Sequence, residues 1–373
     1  MKIAQIAPLY ESVPPQLYGG TERVVSYLTE ELVRQGHNVT LFASGDSETN
    51  ACLVPVCRQA LRLNKGIVDS FAPHIVELQE VIEHAHEFDV LHFHNDYLHF
   101  PVSQILKYPH LTTLHGRLDI AELQPLYKKF AEMPLISISN NQRLPLKNVN
   151  WIGTVYHGLP IDDLKLQEGQ GNYFAFLGRV SPEKGVDKSI DIAKRTGIKI
   201  KIAAKIDKAD QEFYEKEIAP LFDNPLVEYI GEISEHEKQD FLGNALALLF
   251  PINWPEPFGL VMIEAMATGT PVIAFRSGSV PEVIDDGVTG FVVSTVDGAF
   301  EAVSKLEQLN RKKIRGVFEA RFTAEIMAKN YLRFYETMID KSPSKKNYRG
   351  IHDHHSESFS SSPRKEIKQD DVA

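Results

Sequence analysis

The sequence predicts an α/β protein with two parallel-sheet domains, and three observations lead there. Residues 1–155 alternate short apolar runs with helical patterns, the signature of parallel strands joined by crossover helices. A second cycle of the same kind opens at Tyr173, after the Gly169-Gln-Gly-Asn172 linker. The 373 residues also exceed what one such core usually holds.

In the first half, residues 2–7 read as a buried strand, followed by a loop over 8–20. Residues 21–35 form a helix with Val24, Leu28 and Leu32 on one face, stopped at Gly36. Apolar runs at 38–43, 89–94, 111–115, 135–139 and 154–157 supply the later strands, two of them ending in histidine-rich polar segments. In the second half the strands are 173–177, 199–203, 227–230, 245–250 and 272–275, and a helix over 323–340 follows. The halves join near 158–171. Both are Rossmann-like, yet neither carries Gly-x-Gly-x-x-Gly after its first strand, so the dinucleotide fingerprint is absent. In proteins of this plan ligands bind at the carboxyl ends of strands, in the cleft between domains.

Composition narrows the class. With 43% apolar and 24% charged residues, and no apolar run long enough to span a bilayer, the chain reads as an ordinary globular enzyme. The first eight residues lack a signal-peptide core. Cys52 and Cys57 form neither a disulfide framework nor a metal knuckle, which points to a reducing, cytoplasmic setting. A net charge of −10 argues against nucleic acid as the main partner, while leaving room for a local phosphate pocket. From Lys341 onward the composition turns to Ser, Lys, His and Asp, so 341–373 reads as a disordered tail.

The most informative stretch runs from Pro251 to Ala274: a loop set by Pro255 and Pro257, a helix from about 258 to 269, then a buried strand. Glu264 is the only charged side chain in that apolar helix, where an ionised carboxylate is costly unless something polar binds it. It either pairs with a neighbour or holds a ligand. Glu256 lies in the loop eight residues before it, and a helix start near Gly259 aims amide groups at anions. Arg179 and Lys184, around the end of strand 173–177, can converge on a diphosphate or stay as solvated loop cations. Gly19 and Gly20 let a phosphate or sugar approach a helix start, or simply form a turn with Thr21 as the cap. His115 ends a strand at the cleft rim, able to bind a sugar or handle a proton, though such a histidine is commonly structural. His92, His94 and His99 resemble a metal cluster without a second ligand pair, and His352-Asp-His-His355 is at most an adventitious site. The run Arg311-Lys-Lys-Ile-Arg315 reads as a solvated face, with weak attraction to anionic headgroups as the minor alternative.

Together these residues resemble the retaining glycosyltransferases of family 4, also called group 1, which have the GT-B fold. The pattern Glu256-Pro-Phe-Gly-Leu-Val-Met-Ile-Glu264-Ala-Met-Ala-x-Gly-x-Pro-Val-Ile-Ala is similar to that family's E-x7-E element. Gly178-Arg179 with Glu183-Lys184-Gly185, Pro281-Glu282 with Gly287-Val-Thr-Gly290, and Arg321-Phe322-Thr with Tyr331 and Tyr335 support it. The first half matches more loosely, through Gly19-Gly20, Val90-Leu-His-x-His94, Leu114-His115-Gly116 and Tyr156-His-Gly-Leu159.

The resemblance implies two Rossmann-like domains facing a cleft: an acceptor domain over 1–158 and a nucleotide-sugar domain over 159–322. A helix at 323–340 then crosses back to the first domain. It implies transfer of a hexose from a UDP- or GDP-sugar with no metal or cofactor. The acceptor could be a small molecule, a glycan or a lipid-linked group, with at most peripheral membrane contact. Arg179 and Lys184 would neutralise the diphosphate, with Gly19 and Gly20 across the cleft; Glu264 would take the ribose and Glu256 the donor-sugar hydroxyls. The amides of Phe258, Gly259 and Leu260 would assist. Glu232 would lie by the nucleobase pocket at 229–232, and His115 near the reacting sugar. Two departures stand out. Trp254 sits in a longer loop before Glu256, and Gly278-Ser279 replaces the familiar Gly-Gly. Rival readings are a glycosidase using the two glutamates, which leaves Arg179 and Lys184 unexplained, a nucleotide-sugar 2-epimerase, and a non-catalytic sugar-binding protein.

Overall fold

The computed structural model describes residues 1–341 except 17, 18, 65 and 170, so the tail expected over 341–373 lies, but for Lys341, outside the described residues. Seven parallel strands form the first sheet: β1 (Lys2–Ile6), β2 (Asn38–Ser44), β3 (Cys52–Cys57), β4 (Val90–Phe93), β5 (His110–Thr113), β6 (Leu135–Ser137) and β7 (Trp151–Thr154). Helices α1 (Gly20–Arg34), α2 (Phe71–His84), α3 (Phe100–Leu106) and α4 (Leu123–Lys129) connect them. The second sheet has six: β8 (Tyr173–Arg179), β9 (Lys199–Lys205), β10 (Val227–Gly231), β11 (Ala247–Phe250), β12 (Val272–Phe275) and β13 (Gly290–Val293). Its helices are α5 (Val186–Thr196), α6 (Gln211–Phe213), α7 (Glu235–Gly243), α8 (Leu260–Ala267), α9 (Val280–Val283), α10 (Val296–Val303) and α11 (Arg311–Arg321).

The strand orders are β3-β2-β1-β4-β5-β6-β7 and β10-β9-β8-β11-β12-β13, parallel throughout. Each order reverses once, between β1 and β4 and between β8 and β11. Loops leaving those strands part in opposite directions and open a crevice there. Strand interiors such as Ile3, Ala4 and Ile6, or Phe174 and Ala175, are fully buried, as a sheet covered on both faces requires.

Three strand expectations need correction. The strand placed at 154–157 lies earlier, at β7, and β3 and β13 went unrecognised. α1 also starts at Gly20 with Gly19 as its cap, so Thr21 is a helical residue and not the cap.

The last helix, α12 (Ala324–Lys341), returns to the first domain. It buries Met327, Ala328, Tyr331 and Tyr335 against Ile3, Val24, Leu28, Val90 and Leu111. The two chain crossings between domains lie side by side: Leu159 N–H donates to Phe322 O at 2.9 Å, and Ala324 N–H to Leu159 O at 2.8 Å. Glu282 adds a second tie, accepting from the amides of Asn140 and Asn141 at 2.8 and 2.7 Å and from Tyr156 Oη at 2.9 Å. No helix among the described residues is long and apolar enough to cross a membrane.

Candidate active site

A cleft of 860 Å³ opens between the domains at the two switch points. It is lined by every residue singled out above for catalysis or donor binding: Gly19, Gly20, His115, Arg179, Lys184, Glu232, Glu256, Phe258, Gly259, Leu260 and Glu264.

On the second domain, the loops after β8 and β11 are locked together. Gly185 has φ +70° and caps α5, and a Cβ there would sit 2.3 Å from Pro251 O. Asn253 N–H donates to Glu183 O at 2.8 Å. This brings Lys184 Nζ to 2.5 Å from Glu256 Oε2. The same oxygen accepts from Trp254 Nε1 at 3.0 Å, and Lys184 Nζ lies 5.0 Å from the Trp254 ring centre. Arg179 is tied to Glu183 and stands 3.3 Å from Asp210. The cations are therefore partly buried and paired, not solvated.

The Glu256 loop is held from behind by Gly278-Ser279. Ser279 N–H donates to Glu256 O at 2.9 Å and its hydroxyl to Phe258 O at 2.7 Å. Gly278 has φ +55°, and a Cβ there would meet Glu256 N and O at 2.3 Å. The departure from Gly-Gly thus adds a clamp: the glycine needed for close approach is kept, and serine supplies a bond. Gly259, at φ +79°, caps α8, whose first amides have no partner within the helix. Gly20 faces that helix start across the cleft, its missing Cβ 3.8 Å from Leu260 Cδ1. Gly19, by contrast, is required by Pro15, 2.7 Å from where its Cβ would be.

Glu264 is buried and paired with Lys238 Nζ at 2.7 Å. Lys238 also reaches Glu235 at 2.6 Å, and Glu235 contacts Arg23 Nε of α1 at 3.2 Å. Burial alone would lower the Lys238 pKa; Glu264 and Glu235 outweigh it and raise it. Both alternatives for Glu264 meet here: it has a neighbour's cation, and it lines the cleft. Sequence reasoning missed Lys238, because nothing local distinguishes it from any other lysine on an amphipathic helix.

On the first domain, His115 Nε2 lies 2.9 Å from His94 Nδ1 and its ring stacks on His157 at 5.3 Å between centres. Burial pushes the His115 pKa down to about 3 and those of His94 and His157 well below the usual imidazole value. Asp96, two residues after His94, lines the same wall with φ +54°. Burial raises its carboxyl to about 6. Arg117 reaches across to Trp254, 5.9 Å from the ring centre.

Other candidates fall elsewhere. Tyr229 donates to Ala204 O and stacks on Phe222, while its neighbours Glu232 and Ile233 line the cleft. His92 and His99 spend both ring nitrogens on side-chain hydroxyls, Tyr335 and Thr113 for one, Ser103 and Thr112 for the other. His352–His355 lies outside the described residues. The reading of 311–315 as a solvated face holds for Lys312 and Lys313, which are exposed, and is corrected for the arginines: Arg311 donates to the carbonyls of Gln167, Gly243 and Ala245, and Arg315 to those of Leu164, Ala267 and Ile161. Backbone carbonyls left at loop and helix ends draw both guanidinium groups inward.

Two parallel-sheet domains meeting at their switch points, with one helix crossing back, have the GT-B architecture. Comparison with known proteins agrees on both halves. The Glycosyl transferases group 1 family matches residues 162–316, and Glycosyltransferase Family 4 matches residues 18–145. An uncharacterised glycosyltransferase of Methanocaldococcus jannaschii is 28% identical over 68% of this chain and 76% of its own. A phosphatidyl-myo-inositol mannosyltransferase of Mycobacterium leprae is 22% identical over 91% and 97%. Among solved structures, a sucrose-phosphate synthase of Thermosynechococcus elongatus superposes with TM-score 0.76 at 18% identity, covering 92% of this chain and all of the other (100%). An Anabaena protein in complex with UDP and glucose superposes with TM-score 0.71 at 18% identity, covering 90% and 100%. The chain belongs to the group 1, family 4 glycosyltransferases.

Proposed function

We propose that this glycosyltransferase moves a hexose, with retention and without a metal, from a nucleoside-diphosphate sugar to an acceptor held by the first domain. The observation that carries the reading is the convergence of Arg179, Lys184 and the α8 start with buried Glu264 in one cleft. Two fixed cations and a helix start match the charge that develops on a departing diphosphate. Glu264 suits ribose hydroxyls, and Glu256 suits hydroxyls of the transferred sugar. His115 faces the reacting sugar as a neutral imidazole. By analogy with the family, the acceptor attacks on the face the diphosphate leaves. The Anabaena relative's complex with UDP and glucose supports the donor class.

The pairing of Lys184 with Glu256 gives this a sequence. An arriving diphosphate competes for Lys184 and releases Glu256 to accept from the sugar. Donor binding thus assembles the sugar site.

The test is thermal unfolding with UDP, GDP and their sugars in the presence of a chelator. A nucleotide-dependent rise that Glu264→Ala removes is expected; no rise with any nucleoside diphosphate overturns the donor class. Glycosylated acceptor, as opposed to isomerised donor, is the expected product.

A further inference from the structure

Beneath the first sheet runs a line of polar side chains that the function above leaves unused. Thr113 Oγ1 is 3.0 Å from Tyr331 Oη and 2.8 Å from His92 Nε2. His92 Nδ1 is 2.7 Å from Tyr335 Oη, to which Gln5 Nε2 donates at 3.0 Å. Gln5 Oε1 is 2.8 Å from His94 Nε2, and His94 Nδ1 is 2.9 Å from His115 Nε2. Gln5, His92, Thr113, Tyr331 and Tyr335 are 0% exposed and His94 is 1% exposed. Sheet cores ordinarily carry apolar side chains, and burying this many polar groups is tolerable only because each bond is made.

Burial keeps the three imidazoles neutral, so each has one N–H and one lone pair. That makes the stretch from Gln5 through His94 to His115 directional: fixing the Gln5 amide fixes the two bonds that follow. The Gln5 amide donates to Tyr335, so its oxygen accepts, and the proton between them sits on His94 Nε2. His94 Nδ1 then has only a lone pair and accepts from His115 Nε2–H. His115 Nδ1 is left without a proton, and it is a buried atom with no partner in the protein. A ring nitrogen with a free lone pair, on a residue lining the cleft, suits a hydroxyl that donates to it.

We propose that Tyr335, Gln5 and His94 are positioning residues that hold His115 in its Nε2–H tautomer, presenting Nδ1 as an acceptor for a hydroxyl of the transferred sugar. The assignment of the sugar to His115 rests on the function proposed above; the control of the tautomer does not. Tyr335 belongs to α12, so the helix that ties the domains together also sets the hydrogen-bonding character of the active-site histidine.

The experiment is NMR of the full chain labelled with 15N-histidine and without ligand, in which protonated and unprotonated ring nitrogens are resolved. Wild type is expected to show His115 protonated at Nε2 alone. Tyr335→Phe removes the acceptor that orients the Gln5 amide, so His115 is expected to populate both tautomers. Tyr331→Phe, on the same helix but beyond His92, is expected to leave His115 as in wild type. With a nucleotide sugar, Tyr335→Phe should weaken binding about tenfold, near the value of one misdirected hydrogen bond. Binding of the bare nucleoside diphosphate should not change. A wild-type His115 carrying its proton on Nδ1, or a tautomer unmoved in Tyr335→Phe, overturns the proposal. Failure of any nucleotide to bind overturns the donor reading instead, and leaves the tautomer result standing.

Discussion

Replacing Lys238 by methionine removes a cation with little change of volume. Glu264 is then a carboxyl group without its ammonium partner, 5% exposed, in a helix whose other side chains are apolar. Lys238 touches two carboxylates, but their fates differ. Glu235 is one-third exposed and keeps Arg23 at 3.2 Å, so its loss is small. Glu264 loses its one ion pair, and stranding such a charge costs about 3 kcal/mol, the lower end for a broken buried pair. For a domain of this size that is roughly 6–12 °C in the unfolding midpoint. The assay is a double-mutant cycle by thermal and urea unfolding with Lys238→Met, Glu264→Gln and both together. The double variant should recover most of the loss, giving a coupling of about 2 kcal/mol. If Lys238→Met costs under about 1 kcal/mol, or the two losses simply add, Glu264 is not a buried charge held by Lys238, and the electrostatic account of this wall fails.

Two further outcomes follow from the same structure. The buried histidines His92, His94, His99, His115 and His157 all have pKa values depressed by burial, so below about pH 6.5 the unfolded chain takes up protons that the fold refuses. Stability therefore falls with pH from about 6.5 towards 3, where His115 itself titrates. Raised carboxyls at Glu77 and Asp96 act the other way; five protons against two leave about three, at most roughly 4 kcal/mol per pH unit. Urea midpoints that stay flat between pH 7 and 5 would contradict this. Separately, Gly278→Ala drives a methyl into the Glu256 backbone at a left-handed position. A cost of about 2–4 kcal/mol is expected, together with loss of nucleotide-sugar turnover at temperatures where the variant is still folded; unimpaired turnover would show that the loop needs no such clamp.

How much of this the sequence revealed depended on where each residue's partners lie. The central strands were legible because both faces are covered and the apolar runs are continuous, as at Phe174–Phe176 or Ala247–Phe250. The strands misplaced or missed, β3, β7 and β13, are all sheet edges. Edge positions are half-buried, so apolar residues thin out, and β3 even accommodates Pro55. The cleft was readable where one local segment carries the chemistry, as in the loop and helix holding Glu256 and Glu264. It was not readable where function is shared across distance. Lys238 meets Glu264 from another helix, Arg311 and Arg315 find carbonyls far away in sequence, and His115 is joined through His94 and Gln5 to Tyr335, more than 200 residues later. Arg311 and Arg315 read as solvated because local sequence shows their charges and not the carbonyls waiting for them.

That α12 belongs to the first domain's core has a consequence during synthesis. The first domain's strands are complete when Thr154 leaves the ribosome, yet the helix covering Ile3, Val24 and Val90 extends to Lys341. At ordinary elongation rates the gap is roughly 10–40 s. Throughout it Gln5 and His92 have no tyrosine hydroxyls to meet and an apolar groove stays uncovered. The second domain, made later, has no such dependence and can close first. The last helix thus seals the half that emerged first.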